Sequence, residues 1–242
     1  VWWVLIPVAI AGAVIVAALA DGASADAPSI LEQNLRKLRD LLSARRGPKI
    51  ALLGQPGAGK SSLLDRLTDG RCVPRPVIGT TTDATDWSKS PDVTLLHEFG
   101  TMVFVDTPGY DTEKHPVKSY LDLFPFDAFD SIILVLSSKV HQADDEMLQV
   151  LDRRVSEGKL PASKLFLVRC FADTLSPDEE AAVERDLRSR LPHCGGSSFW
   201  LVSNRTGRGI AALRKALFGS DLHAPPISHG GRTPAASDLR LG

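Results

Sequence analysis

The stretch with the most chemistry in it is Gly54-Gln55-Pro56-Gly57-Ala58-Gly59-Lys60-Ser61, with Ser62 directly after it. It satisfies G-x-x-x-x-G-K-[ST] at every fixed position. The apolar run Lys49–Leu53 precedes it and reads as a buried strand; Ser62–Leu67 follows and reads as a helix. That strand–loop–helix setting is what a phosphate-binding loop requires. Glycines let consecutive backbone N–H groups turn inward around an anion, and the helix N-terminus adds partial positive charge. Lys60 is placed to reach terminal phosphates, and the Ser61 hydroxyl is placed to ligate Mg2+.

A second element is the apolar run Thr101–Val105, which ends in Asp106-Thr107-Pro108-Gly109. A carboxylate at a strand end can hold Mg2+ through water, and the Gly109 N–H can sense a γ-phosphate. Between the two elements lies the threonine-rich segment Val77–Asp83. A threonine there could complete the Mg2+ shell and become ordered only when a γ-phosphate is bound.

This order of elements resembles the translation-factor class of GTPases. Gly79–Asp83 looks like the G-T-T-R-D segment of the Era-like and MnmE-like branch, which makes Thr81 the switch I magnesium ligand. Phe129–Ser137 with Asp144 and Asp145, and the run Leu165–Arg169, are similar to the immunity-related, interferon-inducible GTPases. The resemblance spans Pro48 to Ser220. It implies binding of GTP and GDP with Mg2+ as cofactor, and hydrolysis in which Lys60, Thr81 and Gly109 take part.

The family's base-reading motif, [N/T]-K-x-D, falls on Cys170-Phe171-Ala172-Asp173. By the resemblance, Asp173 accepts from the guanine N1–H and its exocyclic amine. Phe171 stands where a lysine stem covers the base and offers a ring to stack instead. Cys170 replaces the usual Asn or Thr and so removes a stabilising hydrogen bond. The S-A-K motif falls on Ser203-Asn204-Arg205, where the Asn204 N–H would contact the base O6. Thr206–Ile210 looks like the T-G-x-G-[IV] that opens the last helix of Era-like proteins.

Two departures bear on catalysis. Tyr110 follows Gly109 where Ras-like enzymes place a water-orienting Gln. Gly57 stands where MnmE-like proteins carry an Asn that helps bind potassium. Asp111, Glu113 and His115 follow closely and could substitute, but the favoured reading makes each a solvated side chain. Slow turnover is expected, with a second copy of the chain or an activating protein supplying the missing group. Two other function classes stay open: a nucleotide-dependent scaffold with little or no hydrolysis, and a P-loop ATPase of another branch.

The rest of the chain frames this site. Its 242 residues are 43% hydrophobic and 24% charged, with a net charge of −1. That composition is globular, and with no basic stripe it predicts no nucleic-acid partner. Cys72, Cys170 and Cys194 are far apart and form no C-x-x-C, so neither a zinc knuckle nor a disulfide framework is expected. Residues 1–20 carry no charge. At about 1.5 Å per residue they would span a bilayer core of about 30 Å. Trp2 and Trp3 suit an interface, and Arg36, Lys37, Arg39, Arg45 and Arg46 lie beyond the run. The positive-inside rule then puts the remainder in the cytoplasm. Ala18-Leu19-Ala20 also fits a signal-peptide cleavage site.

The expected organisation is a single-pass transmembrane helix at 1–20, a linker and juxtamembrane amphipathic helix at 21–47, a GTPase domain at 48–220 and a disordered tail at 221–242. In the second of these, Leu31, Leu35, Leu38 and Leu42 fall on one helical face over Ile30–Arg46. That face fits packing on the domain as well as a coiled-coil seam. Strands are expected at Lys49–Leu53, Val93–Glu98, Thr101–Val105, Ser131–Leu136, Leu165–Cys170 and Phe199–Val202, with helices between them. The fold class is a three-layer α/β sandwich, a P-loop NTPase fold with a mixed, mostly parallel six-stranded sheet.

Overall fold

A computed structural model of the chain describes residues 28–79, 86–110, 112–113, 115 and 117–219. The expected anchor at 1–20 and the tail at 221–242 lie outside the described residues. Among the described residues no helix is long and apolar enough to cross a membrane.

Six strands form one sheet: β1 (Lys49–Leu53), β2 (His97–Phe99), β3 (Met102–Asp106), β4 (Ser131–Leu136), β5 (Leu165–Arg169) and β6 (Ser198–Leu201). Their spatial order is β2-β3-β1-β4-β5-β6. All pairings are parallel except the β2–β3 hairpin. The central strands read as continuous apolar runs because both faces are covered. Side chains alternate between two cores. Ala51, Leu53, Val103, Val105, Ile132 and Leu134 face one layer. Ile50, Leu52, Phe104, Ile133 and Val135 face the other.

The first layer holds helices α1 (Ile30–Ala44), α3 (Val117–Leu123), α4 (Gln142–Ser156) and α5 (Pro177–Ser189). The second holds α2 (Lys60–Leu67) and α6 (Ile210–Phe218). The expected three-layer sandwich with a mixed, mostly parallel sheet is therefore what forms.

Helix α1 settles how its leucine stripe is used. Ser29 and Glu32 form a reciprocal capping box that starts the helix. Leu31, Leu35, Leu38 and Leu42 are then buried in the same core as the sheet. Asn34 Nδ2 donates to the carbonyls of Trp87 at 2.7 Å and Ser90 at 2.9 Å. Of the two uses open to the stripe, packing on the domain is the one observed.

One strand departs from expectation. The run Val93–Glu98 was expected to pair throughout, but only His97–Phe99 does. Its partner β3 turns at Gly100-Thr101 and meets it solely through Met102–Phe104. The other edge of β2 is taken by an isolated bridge from Glu98 to Val73.

Candidate nucleotide-binding site

The carboxyl end of β1 runs straight into the Gly54–Gly59 loop, and sterics dictate the glycine at its first position. Gly54 has φ +154°, and a Cβ there would lie 2.3 Å from the Val135 carbonyl oxygen. The loop delivers α2 with no side-chain cap on its first turn. The N–H groups of that turn are left for a ligand, with the positive end of the helix dipole behind them.

Lys60 is buried and folds back over the loop. Its Nζ donates to the carbonyls of Gly54 at 2.8 Å and Gln55 at 2.9 Å. Burial pulls its pKa down to about 8, against the opposing pull of the Asp106 and Asp144 charges. Ser61 Oγ donates to Asp106 Oδ2 at 2.6 Å. Asp106 Oδ1 is buried without a hydrogen-bond partner among the described residues. Burial holds this carboxyl above the usual carboxylate range, opposed by Lys60 and then Ser61. A hydroxyl beside an unsatisfied carboxylate oxygen is a hard, oxygen-only donor set. It suits an ion that takes one or two protein ligands and completes its shell with water and phosphate oxygens. The fit to Mg2+ is good.

The D-x-x-G segment closes onto this loop. A Cβ at Gly109 would sit 2.4 Å from Pro56 Cδ, so the two loops touch where only glycine fits. The next residue turns away. Tyr110 is fully buried, and its hydroxyl donates to Asp144 Oδ1 at 2.8 Å. The expectation of a solvated His115 is also corrected: it is buried, with Nε2 3.2 Å from the equally buried Asp86 Oδ1. No local sequence pattern reveals that contact, since the two residues lie far apart along the chain. Glu113 is exposed as expected, and Asp111 and Thr81 lie outside the described residues.

Loops after β5 and β6 build the other end of the cleft. Phe171 adopts φ +58° and remains 42% exposed, an unusual position for a large apolar ring that nothing in the described core covers. Asp173 Oδ2 accepts from Arg205 Nε at 2.9 Å and Nη2 at 2.5 Å. The Ser203 hydroxyl and the Arg205 guanidinium hold the Asp173 carboxyl below the usual range. Cys170 is buried, and burial pushes its thiol up to about 12, so it stays a neutral thiol.

A cleft of about 620 Å³ joins these parts, within the range of small-molecule sites. Pro56, Gly57, Gly59, Lys60, Ser61 and Ser62 line one end; Gly109, Phe171, Asp173 and Asn204 line the rest. Gly54, Gln55, Ala58, Ser203 and Asp106 are not among these wall residues; Gly54 and Gln55 accept from Lys60, Asp106 accepts from Ser61, and the Ser203 hydroxyl meets Asp173. Sequence reasoning missed Thr107, Arg66 and Arg205 as wall residues. Arg205 had a local signal, since it completes the Ser203-Asn204-Arg205 motif. Arg66 had none, because its reach to the Asn204 carbonyl at 2.9 Å crosses 138 residues of chain.

Residues 49–165 match the family model described as 50S ribosome-binding GTPase. The chain is 25% identical over 202 residues to the tRNA modification GTPase MnmE of Christiangramia forsetii, covering 79% of this chain and 41% of that protein. It is 28% identical over 201 residues to GTPase Der of Mycobacterium ulcerans, covering 78% and 40%. The chain thus spans about two-fifths of the length of the curated relatives it matches. Among solved structures, translation elongation factor SelB of Methanococcus maripaludis, in complex with the GTP analogue GppNHp, aligns with a TM-score of 0.46 and 19% identity. That alignment covers 76% of this chain and 35% of the other. Residues 49–165 belong to the P-loop GTPases of the translation-factor class.

Proposed function

We propose that this chain binds GTP with Mg2+ in the cleft and hydrolyses it slowly to GDP and phosphate, acting as a molecular switch tethered to a membrane by residues 1–20. The observation that carries the reading is the convergence of Lys60, the Ser61–Asp106 pair and Gly109 at one end of a cleft whose other end holds Asp173. The uncharged run at 1–20 and the basic residues after it support the tether, with the GTPase domain facing the cytoplasm.

On this reading Lys60 leaves the carbonyls of Gly54 and Gln55 and takes the terminal phosphates in their place. Ser61 would hold Mg2+, Asp106 would hold it through water, and Thr81 would join them when a γ-phosphate is present. Mg2+ would neutralise charge on the phosphate oxygens. Water attacks the γ-phosphorus, a new P–O bond forms, and the bond to the bridging oxygen breaks to release GDP. Gly109 N–H senses the γ-phosphate. Asp173 accepts from the guanine N1–H and amine, the Asn204 N–H meets O6, and Phe171 stacks on the ring. The buried Tyr110 offers no group to align the water. Turnover is therefore slow unless a second copy of the chain or an activating protein supplies one.

That same tyrosine favours a second reading, a nucleotide-dependent scaffold with little hydrolysis. Single-turnover phosphate release from bound GTP, with ATP as competitor, tests both. Release that is lost in Lys60→Ala excludes the scaffold, and failure to bind GTP with Mg2+ sinks the main reading. Competition by ATP as strong as by GTP would instead mark an ATPase.

A further inference from the structure

The cleft has a phosphate half, built by the Gly54–Gly59 loop and α2, and a base half, built by the loops after β5 and β6. Hydrogen bonds from two neighbouring residues tie the halves together. Asn204 Nδ2 donates to the Gly59 carbonyl at 3.1 Å. Arg66, on α2, donates through Nε to the Asn204 carbonyl at 2.9 Å and reaches the Arg205 carbonyl at 3.5 Å. Arg205 in turn grips Asp173.

We propose that the Asn204 side chain is a positioning residue that locks the base-reading loop to the phosphate loop, so that grip on the diphosphate and discrimination of guanine rise and fall together. The proposal rests on the reading of the cleft as a guanine-nucleotide site.

The argument turns on one peptide unit. The Gly59 carbonyl and the Lys60 N–H belong to the same planar group and point in opposite directions. Fixing the carbonyl therefore aims the N–H, which is one of the donors at the start of α2. The Gly59 carbonyl already accepts the helical bond from Leu63 N at 2.8 Å. Asn204 fills its second lone pair from the far side of the cleft. A Cβ at Gly59 would lie 2.9 Å from Asn204 Nδ2 and 3.5 Å from Cys170 Sγ, so both side chains converge on this peptide. Cys170 cannot make the tie itself. Its thiol is a weak donor, and among the described residues its one hydrogen bond is a long one from Asn204 Nδ2 at 3.8 Å. The amide that holds the phosphate loop thus comes from the last loop of the domain, beside a cysteine too weak to do it.

This geometry makes a rescue experiment possible. Asn204→Ala removes the donor, and Asn204→Asp keeps the shape but sets an acceptor against the Gly59 carbonyl. In the full chain with Mg2+, both variants are expected to release a fluorescent GDP about tenfold faster, the scale of one lost hydrogen bond. Their preference for GDP over inosine diphosphate, which lacks the 2-amine, should shrink in parallel. Adding Cys170→Asn to Asn204→Ala places an amide within reach of the same carbonyl and should restore slow release and discrimination together. Release within twofold of the parent in both single variants overturns the proposal. So does a double variant whose nucleotide-free melting recovers while release stays fast, since that marks simple packing. If the parent chain binds neither GDP nor GTP, the reading of the cleft fails and the proposal falls with it.

Discussion

The Tyr110 hydroxyl donates to Asp144 Oδ1 at 2.8 Å inside the core, while the other oxygen of Asp144 accepts the His141 N–H at 2.9 Å. The residue that follows Gly109 is thereby anchored to the start of α4 rather than turned toward the phosphate end of the cleft. Hydrogen bonds from a buried neutral donor to a carboxylate contribute about 1.5–3 kcal/mol. Tyr110→Phe should therefore lower the unfolding free energy by about 2 kcal/mol and leave single-turnover GTP hydrolysis within twofold of the parent. A large fall in the hydrolysis rate with unchanged stability would mean that the hydroxyl acts on the reaction, contrary to its position.

Lys60 makes nucleotide binding pH-dependent. Its pKa is about 8 in the empty protein, below its ordinary value of 10.5. Phosphate oxygens replace two carbonyls as its partners in the complex, and their negative charge favours the protonated amine. Binding therefore takes up a proton above about pH 8, and affinity falls as pH rises through that region. The stability of the empty protein moves the other way. A depressed lysine pKa means the unfolded chain binds more protons between about 8 and 10.5, so stability rises with pH over that window. Titration calorimetry of GDP binding at pH 7 and pH 9 checks the first statement, and equal affinities would remove Lys60 from direct phosphate contact.

Asp106 should show opposite effects on fold and ligand. Burial holds its carboxyl above the usual range, so its charge is a cost to the empty fold wherever it is ionised. Asp106→Asn relieves that cost. The nucleotide-free melting temperature is expected to stay level or rise, while Mg2+-dependent tightening of nucleotide binding is lost. A variant that melts lower and keeps its Mg2+ dependence would show that the carboxylate is a structural group.

Helix α1 is expected to be essential to the domain's stability. Leu38 is fully buried in the core shared with Val105 and Leu134. Leu38→Ala should cost about 2–5 kcal/mol, the usual range for a core leucine. Urea denaturation measures it, and a loss under about 1 kcal/mol would mean that the helix packs only loosely.

Much of this was legible in the sequence because it is local. The phosphate loop and the apolar runs Lys49–Leu53 and Ser131–Leu136 are dictated by spacing within a few residues, and they fold as spaced. What stayed hidden depends on partners far along the chain. Tyr110 could be recognised as a departure, but its inward turn depends on Asp144, 34 residues on. His115 looks solvated by composition and is buried because Asp86 meets it. Asn204 was legible as a backbone donor; its side chain works on Gly59 across 145 residues. The expected strand ran longer than β2 because Val93, Leu95 and Leu96 are apolar enough to pair, yet among the described residues no strand pairs with them.

Asp173 offers the sharpest test of base recognition. Its Oδ2 is held by Arg205 Nε and Nη2, and the surrounding donors keep the carboxyl ionised. An ionised carboxylate can only accept, which suits the N1–H and amine donors of guanine. Asp173→Asn changes one acceptor into a donor and also leaves the Arg205 guanidinium without its charge partner. Guanine then faces a donor where it needs an acceptor, whereas xanthine offers a carbonyl at the same ring position. A site built on such hydrogen bonds rejects the mismatched base by the full cost of an unpaired polar group. GDP affinity should therefore fall by about a hundredfold, on the scale of 2.7 kcal/mol, with xanthosine diphosphate now preferred. Competition binding with the two diphosphates decides the matter. An unchanged preference would move the base elsewhere in the cleft and leave the Arg205–Asp173 pair as a brace between the last two loops.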